Sequence, residues 1–347
     1  MKLANTPMDF RNMLSLLPQK LRHEWEKLIY LRPFVSKNQH RNISPDNTLC
    51  LFAIPRSGST WLADMLHQMD KSVLFNEPLI TVPNPIDLGK PIDPLFVRAE
   101  EVKKLGFHYL QPIPHSAEWP EAKDFFKRLL TGRIPSRLLY DLDSGRQILR
   151  SEHLIAHFNH ANLLAAWLQR QFNFKSIVLL RHPCAVVASQ LDDPSIGRAV
   201  QSTPTSIADF KYNELFTSET DLIKQLRTKE QFLAFLWGVQ VREILYRNPE
   251  INRMLVVHYE YLVVNFDAEI KRVFGWIGRE VPEHVWTLRT LPSKSVLNPG
   301  APHHYDAHHL ENWKNLLTPS QVRQILDVVR ELGVNVYGEN TFPEVSG

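Results

Sequence analysis

An α/β fold built on a parallel sheet is predicted by three features of this 347-residue chain. An apolar run from Leu49 to Ile54 ends in the small-residue basic turn Pro55-Arg56-Ser57-Gly58-Ser59-Thr60. That turn opens a helix on which Trp61, Leu62, Met65, Leu66 and Met69 recur at helical spacing, while Asp64, His67 and Gln68 face the other way. A second apolar run, Ile177 to Leu180, suits a strand buried on both faces, and Pro183 then stands where a helix can begin. Thirdly, strand candidates at 49–54, 72–75, 147–150, 176–180 and 254–259 alternate with helical patterns, as crossover connections in a parallel sheet require.

Ahead of the first strand, residues 1–34 carry Arg11, Lys20, Arg22, Glu24, Glu26 and Lys27, which interrupt any signal-peptide or membrane-spanning run. Leu14, Leu17 and Leu21 mark an apolar helix face suited to packing on the domain, with contact to a membrane surface as its second use. The polar stretch 38–47 reads as a linker, so the expected organisation is a helical extension and linker at 1–48 and one domain at 49–347. A net charge of +3, without any basic block interleaved with aromatics, speaks against a nucleic-acid partner. Cys50 and Cys184 fall on the first strand and just after Arg181, where they read as small core residues of a reducing, cytoplasmic compartment. The proline-rich segment 81–146 and the segment 192–227 lie where open α/β proteins build substrate walls. At the far end, Thr318-Pro319-Ser320-Gln321 is an N-cap, a first-position Pro and a capping-box Gln.

The turn after the first strand makes an anion cradle. A helix N-terminus offers unpaired N–H groups and the positive end of its dipole, Gly58 lets a ligand approach the backbone, and Arg56 adds a fixed charge. The plainer reading is a turn in which Ser57 and Ser59 only cap. A Walker loop fits less well, because Gly58 is followed by Ser59 where that pattern needs Lys. Arg181 ends the fourth strand candidate, and Ser189 lies eight residues on, two helical turns deep. Glu77 follows the second strand candidate, where an acidic residue is ordinarily a solvated or capping group. His153, His157 and His160 share one face of an expected helix, and His303, His304, His308 and His309 cluster in a late loop. Either set suggests a metal-dependent hydrolase only if three or four ligands converge.

The string IPRSGSTWL resembles the 5′-phosphosulfate loop of the sulfotransferases, which use 3′-phosphoadenosine 5′-phosphosulfate (PAPS) and release 3′-phosphoadenosine 5′-phosphate (PAP). SIVLLRHPCAVVAS resembles the segment in which that family binds the 3′-phosphate with an Arg and a Ser at this spacing. The resemblance implies a three-layer sandwich of the P-loop nucleotide-kinase-like sulfotransferase type. It also implies a cofactor site made of Arg56, Ser57, Gly58, Ser59, Thr60, Trp61, Arg181 and Ser189, with no metal required. Arg56 is expected at the leaving phosphate, and Trp61 either stacks on adenine or packs in the core. FNEPL resembles the F-E-P-L segment of carbohydrate sulfotransferases, which makes Glu77 the expected base and a sugar hydroxyl the expected acceptor. Lipid, phenol or small-alcohol acceptors are the alternatives. Because cytosolic relatives use a His, His108 and His153 stand as second choices for the base. Asn312-Trp313-Lys314 resembles the family's C-terminal Trp-basic pair, and Lys294 and Lys314 are either phosphate contacts or solvated lysines. A P-loop NTPase or kinase and a non-catalytic nucleotide-binding protein complete the alternatives.

Overall fold

The computed structural model describes residues 30, 32–79, 102, 104–107, 110–134, 145–193, 211–291 and 307–344. Among them the strands β1 (Thr48–Ala53), β2 (Ser72–Asn76), β3 (His153–Phe158), β4 (Lys175–Leu180) and β5 (Met254–His258) form a sheet in the order β2-β3-β1-β4-β5. Every neighbouring pair is parallel.

Alternation along the strands sorts their side chains into two apolar layers. Cys50 and Phe52 of β1 face one layer with Val73, Phe75, Leu154, Phe158, Val178 and Leu180. Leu49, Leu51 and Ala53 face the other with Leu74, Ile155, Ile177 and Leu179. All six residues of β1 are buried, as a central strand covered on both faces demands.

The principal helices are α1 (Arg32–His40), α2 (Ser59–Leu66), α3 (Pro120–Leu130), α4 (Gly145–Arg150), α5 (Ala165–Gln171), α6 (Pro183–Leu191), α7 (Lys229–Val241), α8 (Tyr259–Val264), α9 (Phe266–Ile277) and α10 (Pro319–Glu331). The Phe52 layer takes residues of α1, α3, α4, α5, α6, α7 and α10, and the Leu51 layer those of α2, α8 and α9. The result is the expected three-layer sandwich. Local chemistry sets the helix ends: complete capping boxes start α7 at Thr228 and Gln231 and α10 at Thr318 and Gln321, and Gly278 at φ +81° closes α9.

The chain leaves β1 through α2 on one layer and leaves β3 through α5 on the other, so the direction of winding reverses around β1. Open α/β sheets bind ligands outside the carboxyl ends of the strands at such a reversal. The phosphate-loop candidate lies there, directly after β1.

Two expectations need correction. The stretch 147–150 is the end of α4, not a strand, and the third strand is His153–Phe158. A four-residue stretch whose only apolar members are Ile148 and Leu149 fits either structure, and the one-face spacing of His153 and His157 satisfies a period of 2 as well as a helical one. Nor is 38–47 wholly a linker. Asn38 is a buried residue of α1, its amide donates to the Gly132 carbonyl (3.2 Å), and its own carbonyl accepts from Arg133 Nε (3.1 Å). The apolar face at Leu14, Leu17 and Leu21 lies outside the described residues.

Phe34 of α1 is fully buried in the Phe52 layer. Phe34→Ala should therefore lower the unfolding free energy by about 3–5 kcal/mol, whereas Gln39→Ala on the exposed side of α1 should stay within about 0.5 kcal/mol. Chemical denaturation distinguishes this from a loosely attached extension, for which both variants would unfold with the wild type.

Candidate active site

The chain after β1 turns sharply before it becomes α2. Ser57 N–H donates to the Ile54 carbonyl (3.1 Å) across Pro55 and Arg56, and Arg56 takes φ +76°, a left-handed geometry that costs a non-glycine residue about 1 kcal/mol or more. Gly58 follows at φ +85° as the N-cap of α2. A Cβ at Gly58 would overlap the ring of Tyr259, so glycine is required both by conformation and by space. Helix geometry leaves the amides of Ser59 and Thr60 without an i−4 carbonyl inside α2. Ser57 Oγ is buried without a hydrogen-bond partner. An orphaned hydroxyl and open amides around a close-packed glycine fit a phosphate-bearing ligand.

Arg181 and Ser189 come to the same place from β4 and α6. Arg181 Nη1 donates to the Arg56 carbonyl (3.1 Å), and its guanidinium lies 4.7 Å over the Tyr259 ring. Ser189 Oγ accepts from Arg56 Nε (3.0 Å), and Asp193 stands 3.9 Å from Arg56 Nη1. The Arg56 guanidinium thus joins the loop after β1 to the helix after β4. Gln190 Nε2 adds a second tie by donating to the Pro55 carbonyl (2.9 Å).

Behind Arg181 lies a buried polar support. His182 N–H donates to Glu260 Oε1 (2.8 Å), Tyr337 O–H donates to Glu260 Oε2 (2.7 Å), and His182 Nε2 meets the Gly338 carbonyl (3.0 Å). Burial pushes the Glu260 carboxyl up and holds His182 neutral, at about 4. Trp313 stacks on His182 with ring centroids 4.6 Å apart, so the Trp of the C-terminal pair is a structural residue.

Glu77 closes the other side of the site, after β2. Its side chain is 14% exposed, its backbone is left-handed at φ +50°, and its N–H donates to the His157 carbonyl (3.0 Å). Carboxylate oxygen Oε2 accepts from the Asn159 backbone N–H (3.2 Å) and from His160 Nδ1 (3.3 Å), while Oε1 accepts from the Asn159 side-chain amide. Asn159 Oδ1 in turn accepts from Ser59 Oγ (3.0 Å). His157 Nε2 lies 3.9 Å from Oε1, and its Nδ1 donates to Asn76 Oδ1 (2.8 Å). Burial alone would raise the Glu77 carboxyl. The hydrogen bond from His160, the charges of His157 and His160 and the Asn159 N–H outweigh it and hold the group below its ordinary value. Burial pushes His157 down despite the Glu77 charge.

Several expected residues fall elsewhere. Trp61 is 2% exposed, packs on Tyr259 and Phe266 and donates its indole N–H to the Leu288 carbonyl (2.9 Å). It has no free face for adenine and is a core residue. His153 sits at the start of β3, 2.7 Å from an Arg279 nitrogen and at the opposite end of the strand from Glu77. That position removes it as a base. Lys314 pairs with Glu311 (2.6 Å) in solvent. His157 and His160 belong to β3 and the turn beyond it, and among the described residues no three His, Cys, Asp or Glu side chains gather as metal ligands. His108, Lys294, His303 and His304 lie outside the described residues. Sequence reading missed Asn159, Tyr259 and Glu260. The usable signal for Asn159 was its place after an apolar run, once that run is read as a strand.

Because Glu77 titrates lower in the folded state than in the unfolded chain, its ionised form adds stability that is full above the ordinary carboxylate value of 4.5 and is lost as pH falls through the lower folded value. Glu77→Gln should therefore be less stable than wild type at pH 7, with the gap closing below pH 4.5. A gap that does not change across that range in denaturation experiments contradicts the arrangement.

The family model "Sulfotransferase domain" matches residues 46–335. No curated protein matches the sequence. Solved structures with a similar chain include the sulfotransferase domain from the Synechococcus PCC 7002 olefin synthase (17% identity, 86% of this chain and 98% of that one, TM-score 0.44). The sulfotransferase domain from the curacin biosynthetic pathway is another (16%, 82% and 97%, TM-score 0.43). Mouse sulfotransferase SULT7A1 complexed with PAP is a third (14%, 88% and 91%, TM-score 0.40). With the family model extending from the start of β1 to beyond α10, and so across every strand end that builds the site, the chain belongs to the sulfotransferase family and is an enzyme of the PAPS-dependent type.

Proposed function

We propose that the chain transfers the sulfuryl group of PAPS to a carbohydrate hydroxyl, with Glu77 as the acceptor-side base. The observation that carries this reading is the Glu77 carboxylate, held ionised after β2 and separated from Ser59 of the phosphate loop by a single side chain. The likeness of FNEPL to the carbohydrate branch supports the sugar acceptor. PAPS supplies a sulfur activated by a phosphate leaving group. The acceptor hydroxyl gives its proton to Glu77 as the new O–S bond forms and the bridging S–O bond breaks, leaving PAP. Charge then grows on the departing phosphate. In this reading the hydroxyls of Ser57 and Thr60 and the loop amides around Gly58, that of Ser59 among them, stabilise it together with Arg56, without a divalent ion. Arg181 and Ser189 hold the 3′-phosphate. In this reading residues 49–347 form the transferase domain and 1–48 an extension whose α1 packs into the core. Cys50 and Cys184, buried free thiols, suit a cytoplasmic protein. No described helix is long and apolar enough to cross a membrane.

A screen with labelled PAPS across sugar, lipid and phenolic acceptors should give turnover on sugars. On the best acceptor, Glu77→Gln should lose roughly 10²–10⁴ in kcat while still binding PAP, the range for loss of a general base. Near-normal turnover by Glu77→Gln would move the base elsewhere, and labelling of phenols or lipids in place of sugars would replace the acceptor class.

A further inference from the structure

We infer that Asn159 is a positioning residue that locks the Glu77 carboxylate to the phosphate loop, so that the acceptor-activating group and the donor's cradle are held as one unit. The inference rests on the reading of Glu77 as the base. Its contacts span three strand ends. Ser59, the first residue of α2 after β1, donates its hydroxyl to Asn159 Oδ1 (3.0 Å). The other end of the same amide donates to Glu77 Oε1 after β2, and the Asn159 backbone N–H donates to Oε2 (3.2 Å) from the end of β3.

Asparagine suits this position because one planar group presents an acceptor and a donor on opposite sides. An aspartate would keep the acceptor for Ser59 but set a second negative oxygen against Glu77. A leucine would offer neither function. The neighbourhood is rigid enough to transmit position: Ser59 is 3% exposed, and Glu77 is clamped to β3 through its own N–H and the His157 carbonyl at a left-handed φ. Glu77 also faces His157 from β3 and His160 from the turn after it. These imidazoles act on its charge, whereas Asn159 bonds both to the carboxylate and to Ser59 of the phosphate loop. In-line transfer needs the acceptor oxygen, the sulfur and the leaving oxygen aligned, and a misplacement of about 1 Å costs on the order of 10²-fold in rate. A side chain that fixes Glu77 to Ser59 thereby controls that alignment.

The test combines steady-state kinetics, calorimetry with PAP and a ¹³C NMR titration of the Glu77 side-chain carboxyl, assigned by its disappearance in Glu77→Gln. Asn159→Ala should lower kcat by roughly 10²-fold, leave PAP affinity near wild type and move the Glu77 titration upward. Asn159→Asp should move it further upward, and it carries the same test should Asn159→Ala fail to fold. Ser59→Ala should move the Glu77 titration in the wild-type background and, added to Asn159→Ala, leave it where Asn159→Ala alone puts it. Unchanged kcat and an unmoved Glu77 titration in the Asn159 variants would overturn the proposal. If the titration moves while Glu77→Gln keeps full turnover, the lock stands and the base reading fails.

Discussion

The ring of Tyr259, at the end of β5, is the contact on which the rest of the site depends. It fills the space a Cβ would occupy at Gly58, and so fixes the left-handed turn that points the loop amides outward. Its face also carries the Arg181 guanidinium at 4.7 Å, and its edge packs on Trp61 of α2. One aromatic side chain therefore sets the distance between the phosphate loop and the Arg after β4. Arg181 completes the arrangement by donating to the Arg56 carbonyl, which braces a backbone already strained at φ +76°. Glu260, the next residue after Tyr259, is the buried acceptor for His182 and Tyr337, so the C-terminal segment steadies the same corner from behind.

The site has two electrostatic halves, ordered along the sheet. At the β1 and β4 ends, Arg56 and Arg181 place two guanidinium groups beside open amides, a setting suited to phosphate. At the β2 and β3 ends, Glu77 with His157 and His160 forms a titratable group, with burial and ion pairing opposing each other. Asn159 and Ser59 stand at the boundary between the halves.

Much of this was legible in the residues because it depends on local pattern. The β1 loop and its helix carry their own punctuation in Pro55, Gly58 and the apolar spacing behind them, and Arg181 with Ser189 is fixed by strand-to-helix geometry over eight residues. What escaped was long-range or ambiguous in period. The third strand was misplaced because HLIAHF satisfies helical and strand spacings alike, and with it went the location of Asn159, His157 and His160. Trp61 reads equally as a stacking platform or a core residue until Phe266, more than two hundred positions later, is seen to cover it. Tyr259 gives no local signal, since its importance lies in the space beside Gly58 and in the Arg181 guanidinium over its ring, both distant in sequence. About half of the substrate walls expected in 81–146 and 192–227 lies outside the described residues, and the described part of the first includes α3, which packs in the core, so the acceptor reading rests on the Glu77 string.

The central claim is that the crevice formed by the β1 loop, Arg181 and Ser189 recognises a nucleotide through its 3′-phosphate. Calorimetry comparing PAP with ADP on the full-length protein tests it most directly. Loss of that phosphate should weaken binding by about 1–3 kcal/mol for each contact removed, and Arg181→Ala should narrow the difference between the two ligands. Equal affinity for PAP and ADP, or binding of ATP that requires magnesium, would contradict the account.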